Sequence, residues 1–270
     1  MYNFQFVIVL YKTNILESAT FISLLKDLKN ISILIYDNSP SAQSVDGILD
    51  TSWNIVYYHD EFNSGLSTAY NMGAKIGRDN GKNYLILLDQ DTNFESQIVG
   101  KYVDSIMKFS DIDLFVPILK MNNGLVMSPC IYKNKRGKAI LSISCGIQNL
   151  DEYAPVNSGL CVKIDTFIKV GGYNEKVALD GADFQFIDRY KRFDNKFVII
   201  NAICYQEFSA FDKDLERVLR RFSIYKKDVK NYEVYHWTDR FYHERNLVFR
   251  MLYLTWQHRT LGFLREYIKK

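Results

Sequence analysis

Interruptions are scarce in this chain. Proline occurs 4 times and glycine 14 times in 270 residues, too seldom for a collagen-like repeat or a long low-complexity linker. No apolar run approaches the ~20 residues that span a bilayer. The N-terminus lacks a basic leader followed by an apolar segment and a small-residue cleavage site, so no signal peptide is expected. Cysteine is equally sparse: Cys130, Cys145, Cys161 and Cys204 lie far apart, with no Cys-x-x-Cys pair. They are expected to be buried thiols in a reducing compartment, and not a disulfide framework or a zinc site. An excess of one charge is missing too. Lys and Arg number 34 against 31 Asp and Glu, a formal net charge of +3, which is too small to imply nucleic acid as a partner. Of the 4 histidines, His59 reads as a strand-edge residue, and His236, His243 and His258 lack ligand spacing, so all are expected to be structural.

What remains is apolar and aromatic: 47% of the residues are hydrophobic, with 19 Tyr and 18 Phe. Such a chain can bury a large core as one domain, or as one domain with a helical appendage. A cytoplasmic location is expected.

The stretch from Lys82 to Thr92 organises the reading. Tyr84 to Leu88 is an almost unbroken apolar run, as in a strand covered on both faces. It ends in Asp89 and Asp91. In an open α/β sheet, ligands bind beyond the carboxyl ends of the strands, and two acids there can hold a hard divalent cation. An Asp-rich turn that caps the next helix would look the same.

Upstream, Phe4 to Tyr11 reads as a strand, and Asn14 with Glu17 resembles a capping box opening a helix. Ile31 to Tyr36 and Trp53 to Tyr58 read as further strands, the first ended by the turn at Asp37-Asn38-Ser39-Pro40. A turn at Asn63 to Gly65 feeds a helix to about Arg78. Downstream, Gln97 to Phe109 reads as helix, Asp113 to Leu119 as strand, and Lys120 to Leu150 as short strands around the basic loop Lys133 to Lys138. Asn157 to Lys163 reads as strand, Asp165 as the cap of a short helix, and Phe197 to Tyr205 as a late strand. From Asp212 the chain reads as helix, with aromatic residues between Arg and Lys. Strands alternating with helices predict a mostly parallel sheet with helical cover.

Four pieces in this order carry a resemblance: Val7-Ile-Val-Leu-Tyr11, Tyr36-Asp-Asn-Ser39, Asn63-Ser-Gly-Leu-Ser-Thr-Ala-Tyr-Asn71 and Leu88-Asp-Gln-Asp-Thr92. Together they resemble family 2 glycosyltransferases of the GT-A fold, over residues 4–210. The Leu-Asp-Gln-Asp-Thr form is most similar to bacterial rhamnosyltransferases of polysaccharide synthesis. The resemblance implies an α/β GT-A catalytic domain over 1–210, Rossmann-like with helices on both faces of its sheet, and a C-terminal helical extension over 211–270 packed on it.

The same resemblance implies inverting transfer of a sugar from a dTDP- or UDP-linked donor to a glycan or lipid-linked acceptor, assisted by Mg²⁺ or Mn²⁺. Asp91 is then the metal ligand, with Asp89 on the ribose or the metal and Gln206 completing the set. Relatives carry histidine where this chain has Gln206, so the metal is expected to be weakly held. Donor contacts fall to Tyr11, Asp37, Asn38, Asn63, Gly65, Asn71, Asp89 and Gln90. Tyr11 could equally be a core-edge tyrosine, and Asp37 a turn aspartate. Ser158, Gly159, Gly172 and Tyr173 match loops lining sugar and acceptor. The base is expected between Leu179 and Arg189, where Asp183 is preferred to Asp180 and Gln185 stands where the pattern has a third acid. The competing account makes these residues helix-initiating acids.

Other classes remain in view. Sugar-nucleotide pyrophosphorylases typically carry a Gly-rich basic loop after the first strand, where this chain has Tyr11-Lys-Thr-Asn14. A non-catalytic, degenerate transferase that binds nucleotide sugar or glycan is kept open by Gln185 and Gln206. The basic aromatic C-terminal helices read either as peripheral contact with the inner face of the plasma membrane or as packing with snorkelling Lys and Arg stems.

Overall fold

A computed structural model of the chain describes residues 3–25, 28–46, 48, 52–206 and 214–269. The expected domain boundary at residue 210 lies outside these, as does Glu207.

The first half of the chain alternates as its sequence pattern predicts. Strand β1 (Phe4–Leu10) is followed by a 3₁₀ turn at Ile15–Glu17 and a short helix α1 (Ala19–Ser23). Then come β2 (Ser32–Asp37), β3 (Asn54–His59), α2 (Leu66–Asp79) and β4 (Tyr84–Asp89). The expected capping box is not formed. Asn14 accepts from Leu16 and closes only the 3₁₀ turn, while Ser18 caps α1 by accepting from the Phe21 N–H at 3.0 Å.

After β4, the chain forms β5 (Thr92–Asn93), α3 (Ile98–Lys108), β6 (Leu114–Lys120), β7 (Val126–Lys133) and β8 (Arg136–Ile140). The basic loop is the β7–β8 turn, with Asn134 and Lys135 both at positive φ. Next are β9 (Gly146–Asn149), β10 (Tyr153–Ala154), β11 (Cys161–Lys163), α4 (Ile164–Lys169), α5 (Ala182–Lys191) and β12 (Lys196–Gln206). Two expectations are corrected here. Residues 157–160 form a turn before β11, and Asp165 sits inside the first turn of α4, whose cap position is Lys163.

Strands β4, β1, β2 and β3 run parallel in that spatial order. β11 lies antiparallel between β4 and β6, and β12 runs parallel to β6. The result is a sheet with helices packed on it, parallel in its first half and mixed in its second, as the expected α/β fold requires. Alternation along β1 builds two cores. Phe6, Ile8 and Leu10 join Ile98, Tyr102 and Ile106 of α3 on one face. Val7 joins Tyr70 and Ala74 of α2 on the other. A side chain at Gly73 would collide with Val7, so glycine lets α2 lie directly on β1. All four cysteines are free, as expected, but Cys145 is exposed and corrects the expectation of four buried thiols.

The C-terminal helices α6 (Leu215–Lys230), α7 (Trp237–His258) and α8 (Gly262–Ile268) enclose their own small core of Phe222, Val229, Leu247, Met251 and Phe263. Polar clamps join this unit to the sheet domain. Asp228 of α6 is 1% exposed and accepts the N–H groups of Ala178, Leu179 and Asp180 at 3.0–3.1 Å. Tyr232 donates to the Asp180 carbonyl at 2.5 Å. Lys135 in the basic loop pairs with Asp188 and Asp239, at 2.9 and 3.4 Å.

Removing the Asp228 carboxylate leaves three backbone donors without an acceptor. Asp228→Ala is expected to lower unfolding free energy by about 3 kcal/mol, read from urea denaturation, with Asp228→Asn losing less because its amide oxygen still accepts.

Candidate active site

The carboxyl end of β4 meets the end of β12 through β5, which follows β4 in the chain and pairs antiparallel with β12: Gln206 of β12 lies opposite Thr92. A register shift between Ile199 and Ile203 carries β12 across to that position. Gln206 Nε2 donates to Asp89 Oδ2 at 3.2 Å and to Asp91 Oδ1 at 2.8 Å. The amide therefore bridges the two carboxylates, while its own Oε1 is buried without a hydrogen-bond partner.

Asp89 is held from several directions. Tyr70 of α2 donates to its Oδ1 at 3.0 Å. Thr20 of α1 donates to its carbonyl at 2.5 Å, and its N–H reaches Ser158 Oγ at 3.3 Å. Burial and the neighbouring Asp91 charge push the Asp89 carboxyl up to about 6, against the hydrogen bonds from Tyr70 and Gln206.

Asp183 occupies the first turn of α5, after Gly181 in the left-handed conformation. A side chain at Gly181 would collide with the Tyr232 ring, so the tight entry to α5 is set by the C-terminal unit. Asp183 Oδ1 accepts the Phe184 N–H at 2.8 Å, as a helix-initiating acid does. Burial nevertheless dominates, and with the Asp89 and Asp180 charges it raises this carboxyl to about 7. Asp180 is different. Arg221 Nη2 lies 3.3 Å from its Oδ1 and Arg250 Nη1 3.6 Å from its Oδ2, so it is fixed as the counter-ion of two arginines. Gln185 is buried and accepts the Glu233 N–H at 2.6 Å. The third position of the expected acidic pattern thus serves the domain junction.

At the end of β1, Gln90 forms a clasp. Its Oε1 accepts from the Tyr11 N–H at 2.7 Å, and its Nε2 donates to the Tyr11 carbonyl at 3.3 Å. The Tyr11 ring is left 40% exposed, open to a stacking partner. Asp37 is fully buried and accepts from Ser39 N–H, Gln43 Nε2 and Tyr57 OH at 2.9–3.0 Å. Burial alone would raise its carboxyl, but these bonds hold it below the usual range. Asp37 shapes the turn and presents no free face, in line with the turn-aspartate alternative. Its neighbour Asn38 keeps a buried Oδ1 without a hydrogen-bond partner.

Other expected contact residues have structural work. Gly65 has φ 96°, and a side chain there would collide with the Ala178 carbonyl, which accepts the Leu66 N–H at 3.0 Å. Asn63 is exposed at the same turn. Asn71 receives the Tyr173 N–H at 2.8 Å and donates to the Tyr173 carbonyl and Glu175. Tyr173 is 2% exposed, stacked on Phe186 at 4.7 Å, and donates to Asn157. Ser158 is buried under Asp89, Gly159 packs on Pro117 and Phe94, and Gly172 packs on Asn71. Asn71, Ser158, Gly159, Gly172 and Tyr173 thus support the walls of the cleft through these contacts. Sequence reasoning missed Tyr70, Thr20 and Asp228, because single polar residues on helices carry no local signature of the acid or loop they reach.

Two carboxylate oxygens converge on the Gln206 amide, and its orphaned Oε1 would replace the NH₂ after a half-turn of the amide. Two carboxylates and an amide oxygen fit a hard cation that takes its other ligands from phosphate and water. Among the described residues no group of three or more His, Cys, Asp or Glu has metal-binding geometry.

Residues 13–140, just under half of the chain, match the family model described as Glycosyl transferase family 2. No curated protein matches the sequence. Solved structures match in fold. S. aureus TarS aligns with a TM-score of 0.52 and 14% identity over 94% of this chain and 43% of that one. S. aureus TarS 1-349 aligns with a TM-score of 0.52 and 13% identity, over 98% and 89% of the two chains. Its complex with UDP aligns with a TM-score of 0.50 and 16% identity, over 97% and 74%. The chain spans less than half the length of the longer TarS chain.

If Asp91 contributes to the raised Asp89 carboxyl, removing its charge must release it. In Asp91→Asn the Asp89 midpoint is expected to fall below the value of about 6, measured by carbon-13 NMR titration of the carboxyl.

Proposed function

We propose, from the family 2 glycosyl transferase domain in residues 13–140, that this chain transfers a sugar with inversion from a nucleotide diphosphate to an acceptor hydroxyl. One arrangement carries the reading: Asp183, in the first turn of α5, is buried where it feels the Asp89 charge at the end of β4, which raises its carboxyl to about 7. A general base works best with a pKa near the operating pH, and a carboxyl near 7 is then both ionised and basic. Its Oδ1 already accepts the Phe184 N–H, so Oδ2 takes the acceptor proton. Asp180, paired with Arg221 and Arg250, positions the loop.

Asp91, Asp89 and Gln206 would hold Mg²⁺ or Mn²⁺, which when bound supplies Lewis-acid neutralisation of the departing diphosphate. The Tyr11 ring stacks on the base, and Asn38 Oδ1 accepts from the imide N–H of a pyrimidine. Two donors are in view. The UDP bound in the TarS complex supports a UDP-sugar, and the Leu88-Asp-Gln-Asp-Thr92 similarity supports dTDP-rhamnose. The acceptor is a glycan or lipid-linked oligosaccharide of bacterial surface polysaccharide synthesis, met at the inner face of the plasma membrane. A second reading, a non-catalytic nucleotide-sugar binder, is favoured by Gln206 Nε2 lying between the Asp89 and Asp91 oxygens, where a cation would sit.

Asp183→Asn is expected to lower turnover at least about a hundredfold while keeping donor binding in thermal-shift titrations. The same loss in Asp180→Asn alone would move the base. Wild-type kcat/KM rises with pH along a limb centred near 7, because only the ionised carboxyl accepts a proton. Asp91→Asn keeps its fold and loses transfer; normal turnover in it would remove the metal from the mechanism. Gln206→His, with imidazole for a neutral amide, is expected to tighten Mn²⁺ binding measured by electron paramagnetic resonance. A thermal-shift panel of UDP-, dTDP- and GDP-sugars with Mg²⁺ or Mn²⁺ tests the whole reading, and no stabilisation by any of them would overturn it.

A further inference from the structure

Helix α7 has 22 residues and is about 33 Å long. Its inner face buries Leu247 and Met251 in the C-terminal core. A surface helix normally turns a polar face outward, and here a wide apolar band faces out beside exposed Arg240, Glu244 and Gln257. Trp237, Phe241, Phe249, Leu252, Tyr253 and Trp256 are all exposed, the two tryptophans by 81% and 78%. At 100° per residue they fall within a band of about 160°. A contiguous apolar surface of this kind marks a contact site.

The charges within the band have one sign. Arg245 and Arg259 lie inside it, and Glu244 stands at its margin. The Arg245 guanidinium lies over Tyr242 and Phe249, 4.9 and 5.8 Å from the ring centres, an arrangement that keeps a cation among apolar rings. Helix α8 also exposes Leu264 and Ile268, beside exposed Arg265 and Lys269, the lysine paired with Glu266 at 2.9 Å. Trp and Tyr with Arg suit the boundary between headgroups and acyl chains. No described helix is long and apolar enough to cross a membrane, so such a contact lies along the surface. Pairing with a second copy is disfavoured by charge. A two-fold partner brings the same band, which holds no acid to meet Arg245 or Arg259.

We propose that this outward face of α7 docks on an anionic lipid bilayer. The contact stands on the surface itself; it rests on the transferase reading only for its purpose, access to a lipid-linked acceptor.

The full chain is sedimented with vesicles of phosphatidylcholine, alone or with phosphatidylglycerol. Binding to the anionic vesicles is expected to exceed binding to neutral ones at least about tenfold, and to fall as salt is raised. Trp256→Ser and Leu252→Ser lose at least about tenfold of it, and Arg259→Gln loses about fivefold on anionic vesicles alone. All three variants keep the wild-type melting temperature. Equal sedimentation of wild type and variants overturns the proposal. So does a wild-type dimer in light scattering that Trp256→Ser splits, with no vesicle binding. Vesicle binding without any nucleotide-sugar shift would sink the transferase reading and leave the docking face standing.

Discussion

Carboxylates crowded at the end of one buried strand are the constraint from which the site follows. Asp89 and Asp91 stand on alternate residues, and Asp183 approaches from α5. Burial removes the water that would screen them, so each raises the cost of ionising its neighbour. Hydrogen bonds from Tyr70 and Gln206 offset part of that cost. The remainder appears as two carboxyls displaced upward, to about 6 and about 7. Under the proposed transfer, one part of this group would attract positive charge to the diphosphate side, and the other would keep a basic oxygen for the acceptor. The arrangement is costly to the fold, and functional sites are where such conflicts are expected.

That cost is met by the C-terminal helices. Asp228 collects three backbone N–H groups of the loop before α5, and Tyr232 donates to the same loop. Arg189 forks onto Glu233 and reaches the Gly171 and Gly172 carbonyls at 2.7 Å. The loop before α5 is thus held between the sheet domain and α6, and its geometry depends on a unit that contributes no residue to the β4 edge. The same unit turns the aromatic face of α7 outward. A contact on α7 and the position of Asp183 therefore share one small core, built around Phe222, Leu247 and Met251.

The parallel half of the sheet was readable in advance because its strands are short apolar runs ended by turn residues, and that pattern is local. Asp89 and Asp91 were legible for the same reason, as acids closing such a run. Local pattern did not decide between the two uses open to a polar residue. Asn14 could open a helix or close a 3₁₀ turn, and Ser18 four residues later took the helix. Asp37 could face a ligand or bind its own turn, and Ser39, Gln43 and Tyr57 surround it. Tyr173, Ser158 and Asn71 belong to segments that resemble ligand loops, yet each is spent on packing or on backbone groups.

The sequence alone determined the order of strands and helices and the acids that end β4, since hydrophobic period and turn chemistry act over a few residues. Tertiary structure decided which acid is the counter-ion of two arginines and which is buried with a raised carboxyl. Asp180 and Asp183 differ by the arginines of α6 and α7 that reach one of them, and burial and neighbouring charge are properties of residues far apart in the chain.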